Sequence, residues 1–121
     1  MKYLKTIFHI LNIVLIIFYL FPGSILGCFF FNDCQIQPQI TRDFIISSNH
    51  FYAFGLLAFI GLIYQKSKKI MFFYLIFLSI FLELMHYLIP NRSFEYQDLL
   101  GNLFGVTISI VIIKLILFFK E

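Results

Sequence analysis

Long apolar runs, broken only at a few polar points, constrain this chain more than any other feature. Four stretches, at about residues 4–21, 50–64, 70–89 and 99–119, consist almost wholly of apolar and aromatic side chains. The third and fourth are long enough to cross a bilayer unaided, since a spanning helix needs about 20 such residues. The second is shorter and needs its polar first turn, Ser47, Ser48 and Asn49, at the interface. None alternates apolar with polar at period two, which argues against a β-barrel. The composition agrees: 61% of residues are hydrophobic and 12% charged, against about 25% charged in a soluble domain. The expectation is a single domain over residues 1–121: an all-α, integral-membrane four-helix bundle with short loops. Its helices are placed at about 4–22, 48–65, 70–89 and 98–119.

Orientation follows from the lysines. Lys2, Lys5, Lys66, Lys68, Lys69, Lys114 and Lys120 all fall near the N-terminus, the second connection or the end of the last run. Four crossings put those three regions on one side, and an excess of cations marks the cytoplasmic side. Both termini are therefore expected in the cytoplasm of a multi-pass cell (inner) membrane protein. The connections at 23–49 and 90–98 then face outward and hold Arg42, Arg92, Asp33, Asp43, Glu95 and Asp98. The net charge of +3 is no sign of nucleic-acid binding, because the basic residues flank apolar runs instead of forming a basic patch.

The first run admits a second reading. Lys2 and Lys5, an apolar stretch and then Ile25-Leu26-Gly27-Cys28 resemble a secretory signal with a lipoprotein cleavage box, although Leu26 is a poor fit to such a box. Cys28 and Cys34 lie in the outward connection, where a disulfide is permitted; two free cysteines are the alternative. No CxxC or Cys/His spacing suggests a metal, and no motif suggests a cofactor.

Charged and polar groups within the apolar runs are the informative residues, since a charge at mid-membrane costs about 2.5–3.5 kcal/mol. Glu83 and His86 stand at i and i+3, with Tyr87 at i+4 sharing their face. Pro90-Asn91-Arg92-Ser93 makes a turn that can fold Arg92 back over the helix end. Asp98 opens the fourth helix, where a carboxylate suits the positive end of the dipole, and Asn102 follows at i+4. Gly101, Gly105 and Ser109 form a ladder of small residues suited to close helix approach within one chain or between copies. In the second helix, Gly55, Ala58 and Gly61 make another slim face below His50. The expected outward cluster is thus His50, Glu83, His86, Arg92, Asp98 and Asn102. The simpler alternative is that Glu83–Arg92 and Asp98–Arg92 ion pairs merely fix the turn, with Asn102 as interhelical glue.

The run Glu83-Leu-Met-His86, followed by Pro90-Asn-Arg92 and Asp98-Leu-Leu-Gly-Asn102-Leu-Phe-Gly105, resembles the signature of the VanZ-like membrane family. His50-Phe51-Tyr52-Ala53-Phe54-Gly55-Leu56-Leu57 and Phe18-Tyr-Leu-Phe-Pro22-Gly23 are similar to its second helix and the end of its first. Two departures stand out. His86 replaces a usual Gln, which introduces a group that can take a proton. The family's Asp-Lys before the His of helix two is Ile46-Ser47 here, with Arg42-Asp43 about a turn earlier as the available substitute. The resemblance implies a cell-envelope role, linked in some members to lowered teicoplanin susceptibility.

Three functions compete. The first is a non-catalytic protein binding an anionic lipid head group or lipid-linked cell-wall precursor, with Arg92 as a bidentate donor. The second is an intramembrane enzyme with Glu83 or His86 as general base and Arg92 as stabiliser, a reading weakened by the lack of HExxH or a nucleophile elbow. The third is a structural or transport-accessory subunit whose motif only locks a helix hairpin.

Overall fold

The computed structural model describes residues 2–120, which form five α-helices and no strand. They are α1 (Lys2–Leu20), α2 (Ile25–Phe31), α3 (Ser48–Tyr64), α4 (Lys68–Met85) and α5 (Tyr96–Lys120). Local chemistry accounts for most of the boundaries. α1 stops before Pro22-Gly23, where the ring can neither donate nor continue the helix. The Ser24 side chain accepts the Gly27 N–H at 3.0 Å to open α2, and Asn32 closes it in the left-handed conformation at φ 52°. Asp43 Oδ1 accepts both the Ser48 N–H (2.9 Å) and its hydroxyl (3.1 Å) at the start of α3. Ser67 accepts the Ile70 N–H (3.3 Å) at the start of α4.

Two expectations are corrected. The first connection is not a short loop. It contains α2 and a long irregular segment, 32–47, drawn together by the Cys28–Cys34 disulfide and by Ser24 N–H to Cys34 C=O at 2.8 Å. The helix expected over 70–89 ends at Met85. Pro90 disfavours helical backbone before it, and the chain tightens into i→i−3 bonds from His86, Tyr87 and Leu88. At three residues per turn His86 stays over Glu83 while Tyr87 swings away, and Tyr87 is 70% exposed.

The long helices pack with α3 at the centre, touching α5 most extensively and α1 and α4 as well. α3 and α5 run parallel. Successive rungs Gly101, Gly105 and Ser109 of α5 meet Ser47 and His50, then Phe51 and Gly55, then the Gly55 carbonyl. At the lysine end, Phe8 of α1 packs against Tyr64 (ring centroids 5.3 Å) and beside Gly61. The core runs from Phe8 through Leu57, Leu62, Leu75 and Leu82 to Val106. The exterior is apolar too: Phe73, Phe77, Ile112, Leu115 and Phe118 all point outward. Such a surface is foreign to a water-soluble monomer. Two helices, Lys2–Leu20 and Tyr96–Lys120, are long and apolar enough to cross a membrane.

Candidate functional site: a buried polar chain beside an amphipathic cavity

At the end of the bundle opposite Phe8, α1, α3, α4 and α5 each contribute to one hydrogen-bonded chain. Glu83 lies at its base, fully buried. Its Oε1 accepts the Glu95 N–H at 3.1 Å and its Oε2 accepts the hydroxyl of Tyr19. Because that hydroxyl donates to the carboxylate, it must accept from Asn102, whose amide nitrogen lies 2.7 Å away. The same Asn102 nitrogen faces the Ser79 carbonyl at 3.5 Å, which independently sets the amide orientation. Asn102 Oδ1 is then left to accept from His50 Nδ1 at 3.0 Å. Every donor therefore points toward Glu83, and the neutral His50 ring carries its bare lone pair on Nε2. That Nε2 lies 3.6 Å from Asp98 Oδ1.

Tyr19 holds this geometry physically as well. Its ring stacks on His86 (4.6 Å between centroids, 24° between planes) and meets His50 edge-on (4.9 Å). His86 Nε2 donates to the Tyr19 carbonyl at 2.9 Å, while its Nδ1 is buried without a hydrogen-bond partner, 3.3 Å from Glu83 Oε1.

Arg92 goes elsewhere. Neither Glu83 nor Asp98 pairs with it; the basic side chains nearest those carboxylates are His50, 3.6 Å from Asp98, and His86, 3.3 Å from Glu83. Its Nε donates to the Phe21 carbonyl and its Nη2 to the Phe18 carbonyl, each at 3.0 Å. The last carbonyls of α1 have no partners within the helix, and a cation suits that negative end. The expected ion-pair lock of the α4–α5 turn is thus replaced by a cap on α1. Burial lowers the Arg92 pKa from its ordinary value, with nearby Asp98 the chief opposing influence; the guanidinium remains charged.

A cavity of about 720 Å³ opens beside this chain. Its long wall is apolar, with Leu11, Leu15 and Phe18 of α1 facing Ala53 and Leu57 of α3. Its polar end presents His50, Arg92, Glu95 and Asp98, and residues 37–40 of the first connection line it as well. Glu83, His86 and Asn102 do not line the cavity, because Tyr19 and His50 stand between. Five of the six expected residues therefore join one network, of which only His50 and Asp98 reach the open space, and Arg92 reaches it separately.

Sequence reasoning missed Tyr19. Its signal was present in Phe18-Tyr-Leu-Phe-Pro22-Gly23, but a tyrosine in an aromatic-rich helix is indistinguishable from a packing residue until its partners are known. Donor atoms of His50, Glu83 and Asp98 lie within 4.8 Å of one another. They come from three helices, so no sequence spacing betrays them. Tyr19→Phe, which leaves the Asn102 N–H and one Glu83 oxygen without their partner, is expected to destabilise the fold by about 1–2 kcal/mol. Equilibrium unfolding in mixed micelles followed by circular dichroism measures this; no change would mean water takes over the hydroxyl's role.

A search of curated proteins and a search of solved structures each return no match. A family model described as VanZ/LLP1 matches residues 6–118, a span that includes Tyr19, His50, Glu83, His86, Arg92, Asp98 and Asn102. With all but the ends of the chain matched and the signature residues gathered at one site, this chain belongs to the VanZ/LLP1 family.

Proposed function

We propose that this chain is a four-helix protein of the cell membrane, with both termini cytoplasmic, that binds an anionic lipid or lipid-linked cell-wall precursor from the outer leaflet. Support for the topology comes from the lysine distribution, the apolar exterior and the parallel course of α3 and α5, which the single intervening crossing of α4 requires. The single observation that carries the binding role is the amphipathic cavity. From Leu11 to Phe18 its apolar wall runs about 10 Å along α1, room for part of an acyl or prenyl chain, and the polar end would hold the head. Arg92 spends two N–H groups on α1 carbonyls and has others left for a phosphate or carboxylate.

An enzymatic reading fits less well with Glu83 or His86 as base, since both are closed off; His50 is the group with access to a substrate. The purely structural reading accounts for Glu83 and the Arg92 cap but gives the cavity no task. Dodecyl phosphate and dodecanol are suitable probes, titrated into the full chain in uncharged detergent with EDTA present. The phosphate should bind more tightly, and Arg92→Lys should weaken it about tenfold while leaving dodecanol unchanged. A lysine can reach the α1 carbonyls or the head, but its single ammonium cannot do both. Equal phosphate affinity in the two proteins would overturn the assignment. In cells, the same variant is expected to abolish any effect of the chain on teicoplanin susceptibility.

A further inference from the structure

The polar chain leaves an excess of acceptors at both of its ends. The carboxylates of Glu83 and Asp98 have no Lys or Arg partner among the described residues. Each of the two imidazoles that face them already donates through its other nitrogen. His50 gives its Nδ1 proton to Asn102, and His86 gives its Nε2 proton to the Tyr19 carbonyl. His86 Nδ1, 1% exposed as a residue, has no hydrogen-bond partner and looks onto Glu83 Oε1. Carboxylates gathered without a Lys or Arg in a low-dielectric interior call for a cation among them.

We propose that His50 Nε2, Asp98 and Glu83 together hold one divalent cation of the zinc class at the polar end of the cavity. The three donor atoms already lie within 4.8 Å of one another. His50 Nε2 and Asp98 Oδ1, at 3.6 Å, are near the ~3.3 Å separation of two ligands on a tetrahedral zinc. Glu83 is anchored by Tyr19 and Glu95, so the remaining closure falls to His50 and Asp98, which stand at the open side. An imidazole in the set selects zinc or a similar metal over magnesium or calcium, which prefer oxygen alone. The supporting shell is in place: a ligating histidine normally donates its other N–H to a fixed acceptor, and Asn102 Oδ1 is that acceptor for His50. Tyr19 plays the matching part for Glu83. Three protein ligands leave a fourth position toward the cavity, the pattern of a site open to an exogenous oxygen. This inference deepens the anionic-head reading, because a phosphate or carboxylate seated beside Arg92 would supply that oxygen.

The test uses the full chain in uncharged detergent, without added lipid, titrated with Zn²⁺ by calorimetry and with Co²⁺ by visible absorption. The expected result is one metal per chain. Affinity should fall at least about tenfold in His50→Ala and in Asp98→Asn, and be retained in His9→Ala and in the Cys28→Ser, Cys34→Ser double variant. The Co²⁺ spectrum of the unaltered chain should show intense low-symmetry bands without sulfur charge transfer, which keeps the test valid if a variant fails to fold. A Co²⁺ spectrum matching the free aquo ion, or zinc binding indifferent to His50→Ala, would overturn the proposal and leave protons as the neutralising cations. Since the dodecyl phosphate titration is done in chelator, loss of metal binding and loss of head-group binding are read separately.

Discussion

Glu83→Ala is expected to destabilise the fold by about 3–5 kcal/mol, the range for removing one member of a buried charged network. The substitution strands the Tyr19 hydroxyl and the Glu95 N–H at a site with no exposure to solvent, and each orphaned donor keeps its full desolvation penalty. The effect should spread along the chain, because Tyr19 is also the acceptor for Asn102, and Asn102 for His50. Glu83→Gln should cost about 1–2 kcal/mol. Its amide can accept one of the two donors and give an N–H to the bare His86 Nδ1, while shedding a buried charge. Unfolding in mixed micelles gives the order directly. If alanine and glutamine prove equally mild, Glu83 is not the anchor of the network, and a ligand-bearing role would have to account for it instead.

The second large effect concerns helix approach. Gly105→Ala is expected to cost about 3 kcal/mol, the upper part of the range for overpacking. A β-carbon there would lie 2.7 Å from the Phe51 carbonyl oxygen and 2.8 Å from the Gly55 nitrogen. Both are backbone atoms of α3 that cannot step aside, so α3 and α5 must separate, and Ser109 loses its 2.8 Å bond to the Gly55 carbonyl. Gly55→Ala, across the same contact, should change stability by less than about 0.5 kcal/mol. Its β-carbon would find nothing nearer than 3.8 Å. Comparable losses from both substitutions would mean that the helices pack in another register.

Much of this site was legible before any coordinates. Glu83 and His86 at i and i+3, and Asp98 and Asn102 at i and i+4, declare shared helix faces by period alone, and the spacing from Glu83 to Gly105 carries the family resemblance. Arg92 was legible as a turn cation but not as a cap on α1, because its partners are carbonyls 71 and 74 positions away in the chain. Sequence patterns report side-chain type, and backbone acceptors have none. The same limit hid the close approach at Gly105 and the slack at Gly55, two glycines that look alike in a small-residue ladder. It also hid α2, whose seven residues are too few to show a period and whose ends depend on Ser24, Asn32 and the disulfide.

The order of residues alone makes the chain all helical and carries the family resemblance. The first follows from local periodicity, and the second from residue types at fixed spacings between Glu83 and Gly105. The packing of the helices joins Tyr19 to both Glu83 and Asn102 and turns His50 and Asp98 toward a cavity. It alone has Arg92 closing α1 in place of pairing with an acid. Each of these depends on the direction in which a donor points and on how nearly two helices approach, quantities that arise only when segments distant in the chain are packed together.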